Sequence, residues 1–254
     1  MNSPRFYCPV PLRVGDCVVL PEAAARHAVR VLRLKVGAAL TLFDGSGGEY
    51  AASIALVERD SVSAEVLAWR EAECESPLAI TLAQALQAGE KMDMTVQKAV
   101  ELGVVRIVPL VSRRSVVRLE GERAERRVAH WQGVAASACE QCGRNRVPGV
   151  APIAPIDHWL AQPAEGGVLR LMLAPDAEKT LDVLPRATRI ELLVGAEGGL
   201  APEEVSMAAV AGFVPIRLGP RILRTETAGL AALAAIHARW GDFVAGNGGE
   251  NKNV

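Results

Sequence analysis

The chain has 254 residues, half of them hydrophobic, and a formal net charge of −1. That length accommodates one large or two modest domains, and the near-zero charge provides no global attraction to nucleic acid. No uncharged apolar run is long enough to span a bilayer, and Met1-Asn2-Ser3-Pro4-Arg5 lacks the apolar core of a signal peptide, so a soluble cytoplasmic protein without a membrane partner is expected. From the N-terminus, Val18 to Leu20 and Ala39 to Phe43 read as strands, Asp44-Gly45-Ser46-Gly47 as a hairpin turn, and Glu49 to Leu56 and Ser61 to Trp69 as further strands. Pro21 opens a helix in which Ala25, Ala28, Val29 and Leu32 form the buried face and Arg26, Arg30 and Arg33 share another. A small β-barrel with one covering helix accounts for this stretch.

The polar stretch Arg70 to Pro77 marks a domain boundary. Beyond it apolar runs (Leu78 to Leu82, Val104 to Leu110, Val168 to Leu173, Ile190 to Val194, Val214 to Leu218) alternate with helical patterns over Met92–Leu102, Glu122–Cys139, Pro202–Ala211 and Thr225–Trp240. That alternation predicts an α/β domain with a mostly parallel sheet. The Gly/Asn-rich end reads as a disordered tail. The domains expected are 1–72, 73–246 and a tail 247–254.

Cysteine and histidine chemistry is sparse. Cys139-x-x-Cys142 lacks the second ligand pair of a zinc site and closes a helical pattern rather than opening one, so no metal and reduced thiols are expected. His27, His130, His158 and His237 form no constellation.

Chemistry concentrates in two stretches. Leu193-Val194-Gly195-Ala196-Glu197-Gly198-Gly199-Leu200 and Leu218-Gly219-Pro220-Arg221-Ile222-Leu223-Arg224-Thr225-Glu226-Thr227-Ala228 each follow a strand and enter a helix. On neighbouring strands they would place two ligand-grade loops side by side at the carboxyl ends. The first loop has neither the spacing of a dinucleotide fingerprint nor the Lys-Ser/Thr of a P-loop, and its Glu197 would repel a phosphate. A ligand of low negative charge suits it; a bare βα turn is an equal alternative from pattern alone. In the second loop Ile222 and Leu223 are apolar where a connection is exposed, which points to a pocket wall. Thr225 reads as an N-cap and Glu226 suits a first helical turn, whereas Arg224 opposes the helix dipole and so points to an anion.

These residues resemble the RsmE family of small-subunit rRNA methyltransferases, in the SPOUT superfamily. The resemblance runs through Pro4-Arg5-Phe6-Tyr7, His27-Ala28-Val29-Arg30-Val31-Leu32-Arg33, Gln97-Lys98-Ala99-Val100-Glu101-Leu102-Gly103-Val104, Glu140-Gln141-Cys142-Gly143-Arg144 and both loops, the second being the most specific. The family usually has proline at Ala196 and serine at Cys142. It implies a PUA-like N-terminal β-barrel, a C-terminal SPOUT-type α/β domain with a deep trefoil knot, a homodimer, S-adenosylmethionine as cofactor, and N3-methylation of one uridine of 16S rRNA in the assembled small ribosomal subunit. The cofactor would lie among Leu173, Gly195, Glu197, Gly198, Gly199, Leu218, Pro220, Ile222 and Leu223.

Methylating uridine N3 requires loss of the N3 proton. Glu226, Glu197 and Glu140 are candidate bases; Glu226 ranks first because it adjoins both Arg224 and the cofactor loop. Arg224 would stabilise a uridine anion or hold a phosphate. Arg26, Arg30 and Arg33 form one candidate RNA surface, and the resemblance adds Arg5 and Arg144. The stretch Arg113, Arg114, Arg118, Arg123, Arg126 and Arg127 is interleaved with Glu120, Glu122 and Glu125, the pattern of a solvated helix face. Two rival readings stay open: a non-catalytic RNA-binding or ribosome-assembly factor on the same fold, and a knotted methyltransferase acting on tRNA or a ribose 2′-hydroxyl.

Overall fold

Alternating apolar and polar residues build a sheet in the first seventy positions, because successive side chains of a strand face opposite ways. In the computed structural model, which describes residues 3–59, 61–163 and 166–243, strands β1 (Arg5–Tyr7), β2 (Cys17–Val19), β3 (Ala39–Phe43), β4 (Glu49–Val57) and β5 (Val62–Arg70) form a five-stranded sheet of order β1-β3-β4-β5-β2. β1 runs parallel to β3 and the other pairs are antiparallel. No ladder joins β1 to β2 among the described residues, so the expected barrel is an open sheet in its hydrogen bonding. Phe6, Leu40, Leu42, Ile54 and Val66 form its core with Leu20 and Ala28. Burying each large side chain contributes about 1.5–3 kcal/mol.

The helix after Pro21 departs from its expected phase. α1 (Glu22–Arg26) passes into a π-helical turn, His27–Val31, in which the Leu32 N–H donates to the His27 carbonyl at 3.0 Å. That wider turn rotates later side chains relative to a 3.6-residue period. Ala25 and Ala28 are buried as expected and Val29 packs partly on the core, but Leu32 is 40% exposed. Arg33 lies beyond the turn in a left-handed conformation, φ +54°.

The second sheet is entirely parallel. Its strands are β6 (Ala79–Ala85), β7 (Arg106–Val111), β8 (Gly149–Val150), β10 (Leu169–Leu173), β11 (Arg189–Val194) and β12 (Val214–Ile216), in the order β12-β10-β11-β6-β7-β8, with β9 (Ala154–Pro155) also on β7. Buried on both faces, β6, β10 and β11 are near-continuous apolar runs. The connecting helices are α2 (Lys91–Glu101), α3 (Gly121–Cys142), α4 (Ile156–Leu160), α5 (Pro202–Val210) and α6 (Thr225–Trp240). Glu204 opens α5: its Oε2 accepts from the Ala201 N–H at 2.7 Å and its Oε1 from the Arg113 N–H at 2.7 Å, which justifies a fully buried carboxylate.

Two compact units result: residues up to Glu75 with Ala136–Val147, and Ser76–Ala135 with the residues from Pro148 on. A single cut near residue 72 therefore misses that Ala136–Val147 belongs with the N-terminal strands. The reason is a set of polar contacts within that unit. Arg144 grips Glu75 through Nε at 3.1 Å and Nη2 at 2.6 Å. Asn145 Oδ1 accepts from Arg5 at 2.6 Å, and Glu140 accepts the Tyr7 N–H at 2.9 Å. The tail expected over 247–254 lies outside the described residues.

Candidate active site

The two glycine-bearing loops do not leave neighbouring strands. β10 lies between β11 and β12, so three strand ends converge. Local patterns define strands but carry no strand order, which is set by how the crossovers pack.

The loop after β11 folds back on itself. The Gly199 N–H donates to the Ala196 carbonyl at 2.8 Å, with Gly199 at φ +71°. A Cβ on Gly195 would stand 2.7 Å from the Gly199 carbonyl carbon and 2.9 Å from the Leu200 nitrogen, both backbone atoms. Only glycine fits there. The loop after β12 reaches α6 through Arg224, whose carbonyl accepts the Thr227 and Ala228 N–H groups. Arg224, not Thr225, is thus the N-cap residue. Thr225 is buried, and its hydroxyl donates to the Gly195 carbonyl at 2.5 Å, tying the two loops together. Gln84, at the end of β6, donates from Nε2 to Thr225 Oγ1 at 3.2 Å and to the Gly195 carbonyl at 3.3 Å. Gln87 turns its carbonyl to the Glu226 N–H (3.3 Å) and its amide to Thr95 Oγ1 (2.9 Å) and the Lys91 carbonyl (3.2 Å). Four buried polar side chains, Gln84, Gln87, Thr95 and Thr225, thereby hold the start of α6 against the first loop.

Around these strand ends lies a cavity of about 650 Å³, within the range of small-ligand sites. Leu173, Gly195, Glu197, Gly198, Gly199, Ile222 and Leu223 line it, together with Ala174, Pro175 and Asp176 after β10. Leu218 lines a smaller recess of about 50 Å³ that shares Leu173 and Leu223 with it. Pro220 borders neither. Arg114 closes one side, its Nη1 donating to the Gly198 carbonyl at 2.7 Å. Glu197 accepts from the Ala88 N–H at 3.1 Å and from Lys91 Nζ at 3.3 Å. Burial pushes its carboxyl up, but its own backbone N–H, that of Ala88 and Lys91 outweigh this and hold it below the usual range. Glu197 is therefore partly committed to the wall itself.

Glu226 lines a second cavity of about 570 Å³, together with Lys91, Met94, Gln97 and Val134. Its side chain is only 12% exposed, with Oε2 3.8 Å from Lys91 Nζ and without a hydrogen bond. Arg224 is exposed and forms no ion pair among the described residues. The third candidate base, Glu140, lies in the N-terminal unit; burial raises its carboxyl, against the lowering effect of the Tyr7 N–H.

The RNA candidates divide. Arg26 and Arg30 border a recess of about 240 Å³ with Arg59, although Arg26 also pairs with Glu22. Arg33, past the helical turn, is not among its walls. Arg5 and Arg144 are engaged within the N-terminal unit. Arg5 is paired with Glu49, bonded to Asn145 and stacked 5.1 Å over Phe43, and Arg144 is 3% exposed in its grip on Glu75. In the arginine-rich stretch Arg126 pairs with Glu122 at 2.7 Å, Arg113 with Glu203 at 3.3 Å and Arg127 with Asp93 at 3.4 Å. Cys142 ends α3, and burial pushes the Cys139 thiol up to about 12.

Comparison with known proteins decides the family. An RNA methyltransferase domain model matches residues 74–237, and an RNA methyltransferase PUA domain model matches residues 20–67. Ribosomal RNA small subunit methyltransferase E of Buchnera aphidicola is 33% identical over 94% of this chain and 98% of its own length; that of Bacillus subtilis is 31% identical over 83% and 85%. The chain belongs to the ribosomal RNA small subunit methyltransferase E family. Two solved structures agree. The Neisseria gonorrhoeae family member, bound to S-adenosylmethionine, has a TM-score of 0.89 at 42% identity over 96% of this chain and 100% of its own. A putative methyltransferase from Legionella pneumophila with the same cofactor has a TM-score of 0.92 at 38% identity, with the same coverage. The residues of this family member that sequence reasoning did not assign to the cavities are Ala174 to Asp176, Lys91, the buried amides and Arg114, which it placed on a solvated helix face. Gln84 carried a readable signal, a lone amide inside an apolar strand run. Lys91 and Arg114 carried none, since their roles depend on contacts distant in sequence.

Proposed function

We propose that this chain is an S-adenosylmethionine-dependent methyltransferase that methylates N3 of one uridine of 16S rRNA in the small ribosomal subunit. The observation that carries this reading is the backbone-rich cavity at three converging strand ends, with Asp176 and Glu197 on its walls. Such walls favour a cationic ligand without phosphate. The tight Gly195 fold-back exposes backbone groups for an adenine edge, and Ile222 and Leu223 provide apolar surface for its ring. S-adenosylmethionine, when bound, supplies an electrophilic methyl group on a sulfonium.

This chain's own residues do the rest. Gln84 and Thr225 hold the Gly195 loop; Glu226, the next residue of the same helix start, takes the N3 proton; Arg224 meets the RNA. Arg26 and Arg30, on a PUA-like RNA-binding domain, supply phosphate contacts that offset the cost of extruding the base, a few kcal/mol. The reading includes a homodimer, a cytoplasmic location where ribosomes are made, and a deep trefoil knot. For the knot, support comes from the chain path: it leaves edge strand β12, yet α6 packs on α2 and β11, with Gly229 against Gln84 and Val194. The test uses small subunits lacking the modification, incubated with protein and donor. Mass spectrometry of the digested rRNA should find one new N3-methyluridine; a ribose methyl group or an unmodified product would overturn the reading.

A further inference from the structure

Lys91 is the first residue of α2, where the helix dipole disfavours a cation. It is held there by carboxylates from two other elements, Glu197 of the β11 loop at 3.3 Å and Glu226 of α6 at 3.8 Å. Each of these acids belongs to a different cavity. Glu197 lines the one at the strand ends, whereas Glu226 and Lys91 line the second, of about 570 Å³. Consecutive residues Thr225 and Glu226 thus line different cavities, and Lys91, on the wall of the second, reaches Glu197 of the first, so that the two adjoin at this ion cluster.

The second cavity suits a flat base. Met94, 41% exposed, and Val134 offer apolar surface, and Gln97 offers an amide donor and acceptor for the edge of a pyrimidine. Of the charged groups around it, Asp93 is engaged by His130 at 2.6 Å, Trp131 at 2.9 Å and Arg127 at 3.4 Å, all on α3. Glu90 adds a further negative charge to the lining, and Arg224 stands outside it. Lys91 is the one cation lining the cavity among the described residues.

We infer that the cavity beside Glu226 receives the extruded uracil and that Lys91 is a catalytic residue that stabilises the ring as an anion. This rests on the functional reading above. The charge balance follows from the contacts. Oε2 of Glu226 faces Lys91 and is buried, whereas Oε1 carries no hydrogen bond among the described residues. The N3–H bond breaks, the proton goes to Oε1, and the electron pair stays on the ring, delocalised over N3 and its flanking carbonyl oxygens. Glu226 is then neutral, and Lys91, released from one of its two carboxylates, faces a new anion. That pair forms the N–CH₃ bond as the carbon–sulfur bond of the donor breaks, which discharges both the ring and the sulfonium. The proton leaves Glu226 to water.

The test compares small subunits reconstituted with uridine and with 5-fluorouridine, whose N3 proton is more acidic and whose anion needs less stabilisation. Lys91→Met should lower the single-turnover rate on uridine subunits by on the order of 10²-fold. With 5-fluorouridine the loss should shrink about tenfold, and Lys91→Arg should retain most of the rate. Calorimetry should find S-adenosylmethionine affinity within about threefold of the unsubstituted protein. An equal loss on both substrates, or a rate loss matched by lost cofactor affinity, overturns the role of Lys91. If the unsubstituted protein makes no N3-methyluridine, the functional reading itself fails and takes this proposal with it.

Discussion

Thr225 carries much of the site's geometry on a single hydroxyl. It was expected to cap α6; instead it joins that helix to the Gly195 carbonyl, with Gln84 behind it. Thr225→Val leaves a buried carbonyl short of its best donor, which costs about 1–3 kcal/mol. The expected outcome is a lower melting temperature together with about tenfold weaker S-adenosylmethionine binding by calorimetry, both restored by Thr225→Ser. Unchanged cofactor affinity would mean that the hydroxyl does not hold the loop. The cysteines follow a simpler rule. Burial raises the Cys8 thiol and takes Cys139 to about 12, while Cys17 and Cys74 are exposed. Thiolates react and thiols do not. Iodoacetamide at pH 8 should therefore label Cys17 and Cys74 in the native protein and reach Cys8 and Cys139 only after unfolding, as peptide mass mapping would show.

At the scale of elements, α2 and α3 are joined through Asp93. It accepts from Trp131 Nε1 at 2.9 Å and pairs with His130 at 2.6 Å. Burial raises its carboxyl, but these hydrogen bonds and the charges of His130 and Arg127 leave it below its ordinary value of 3.8. A carboxyl lowered in the folded state stabilises the protein above its unfolded value and loses that contribution as pH falls through the folded value. Asp93→Ala should then cost about 1–2 kcal/mol near pH 7 in urea unfolding. The difference from the unsubstituted protein should shrink as pH falls from the ordinary value of 3.8 through the lower folded value. A difference independent of pH would assign the cost to packing on Trp131 instead. Sequence reading located these helices to within a few residues, because α2 and α3 each bury one stripe of a regular period. It failed for β1, three residues long and recognisable only by its pairing with β3. It also misplaced Leu32, since nothing in the local pattern announces a π-helical turn.

Across the whole molecule, charge is distributed rather than abundant. Of the five arginines expected at RNA, Arg26 and Arg30 line one recess beside Arg59, whereas Arg5 and Arg144 are paired inside the N-terminal unit and Arg33 stands apart. Each phosphate contact contributes about one unit to the salt dependence of binding. Arg30→Ala should lower the slope of log affinity against log salt for small subunits by about one unit, and Arg59→Ala likewise; Arg144→Ala should instead show up as lost stability. A slope unchanged by Arg30→Ala removes that recess from the RNA surface.

Much of this protein was determined by its sequence alone. The α/β alternation, the resemblance to a methyltransferase family and most of the cavity wall (Leu173, the Gly195–Gly199 loop, Ile222 and Leu223) were readable there. Backbone demands such as that at Gly195, and apolar residues in an exposed connection, are local and leave a mark on the residues themselves. Tertiary structure alone decided that β10 separates the two loops, that Ala136–Val147 joins the N-terminal strands, that Arg5 and Arg144 are buried partners, and that Lys91 lies between Glu197 and Glu226. The physical reason is common to all four. Strand order, burial of a charge and the pairing of ions are properties of distance, and residues far apart in sequence acquire a distance only when the chain has folded.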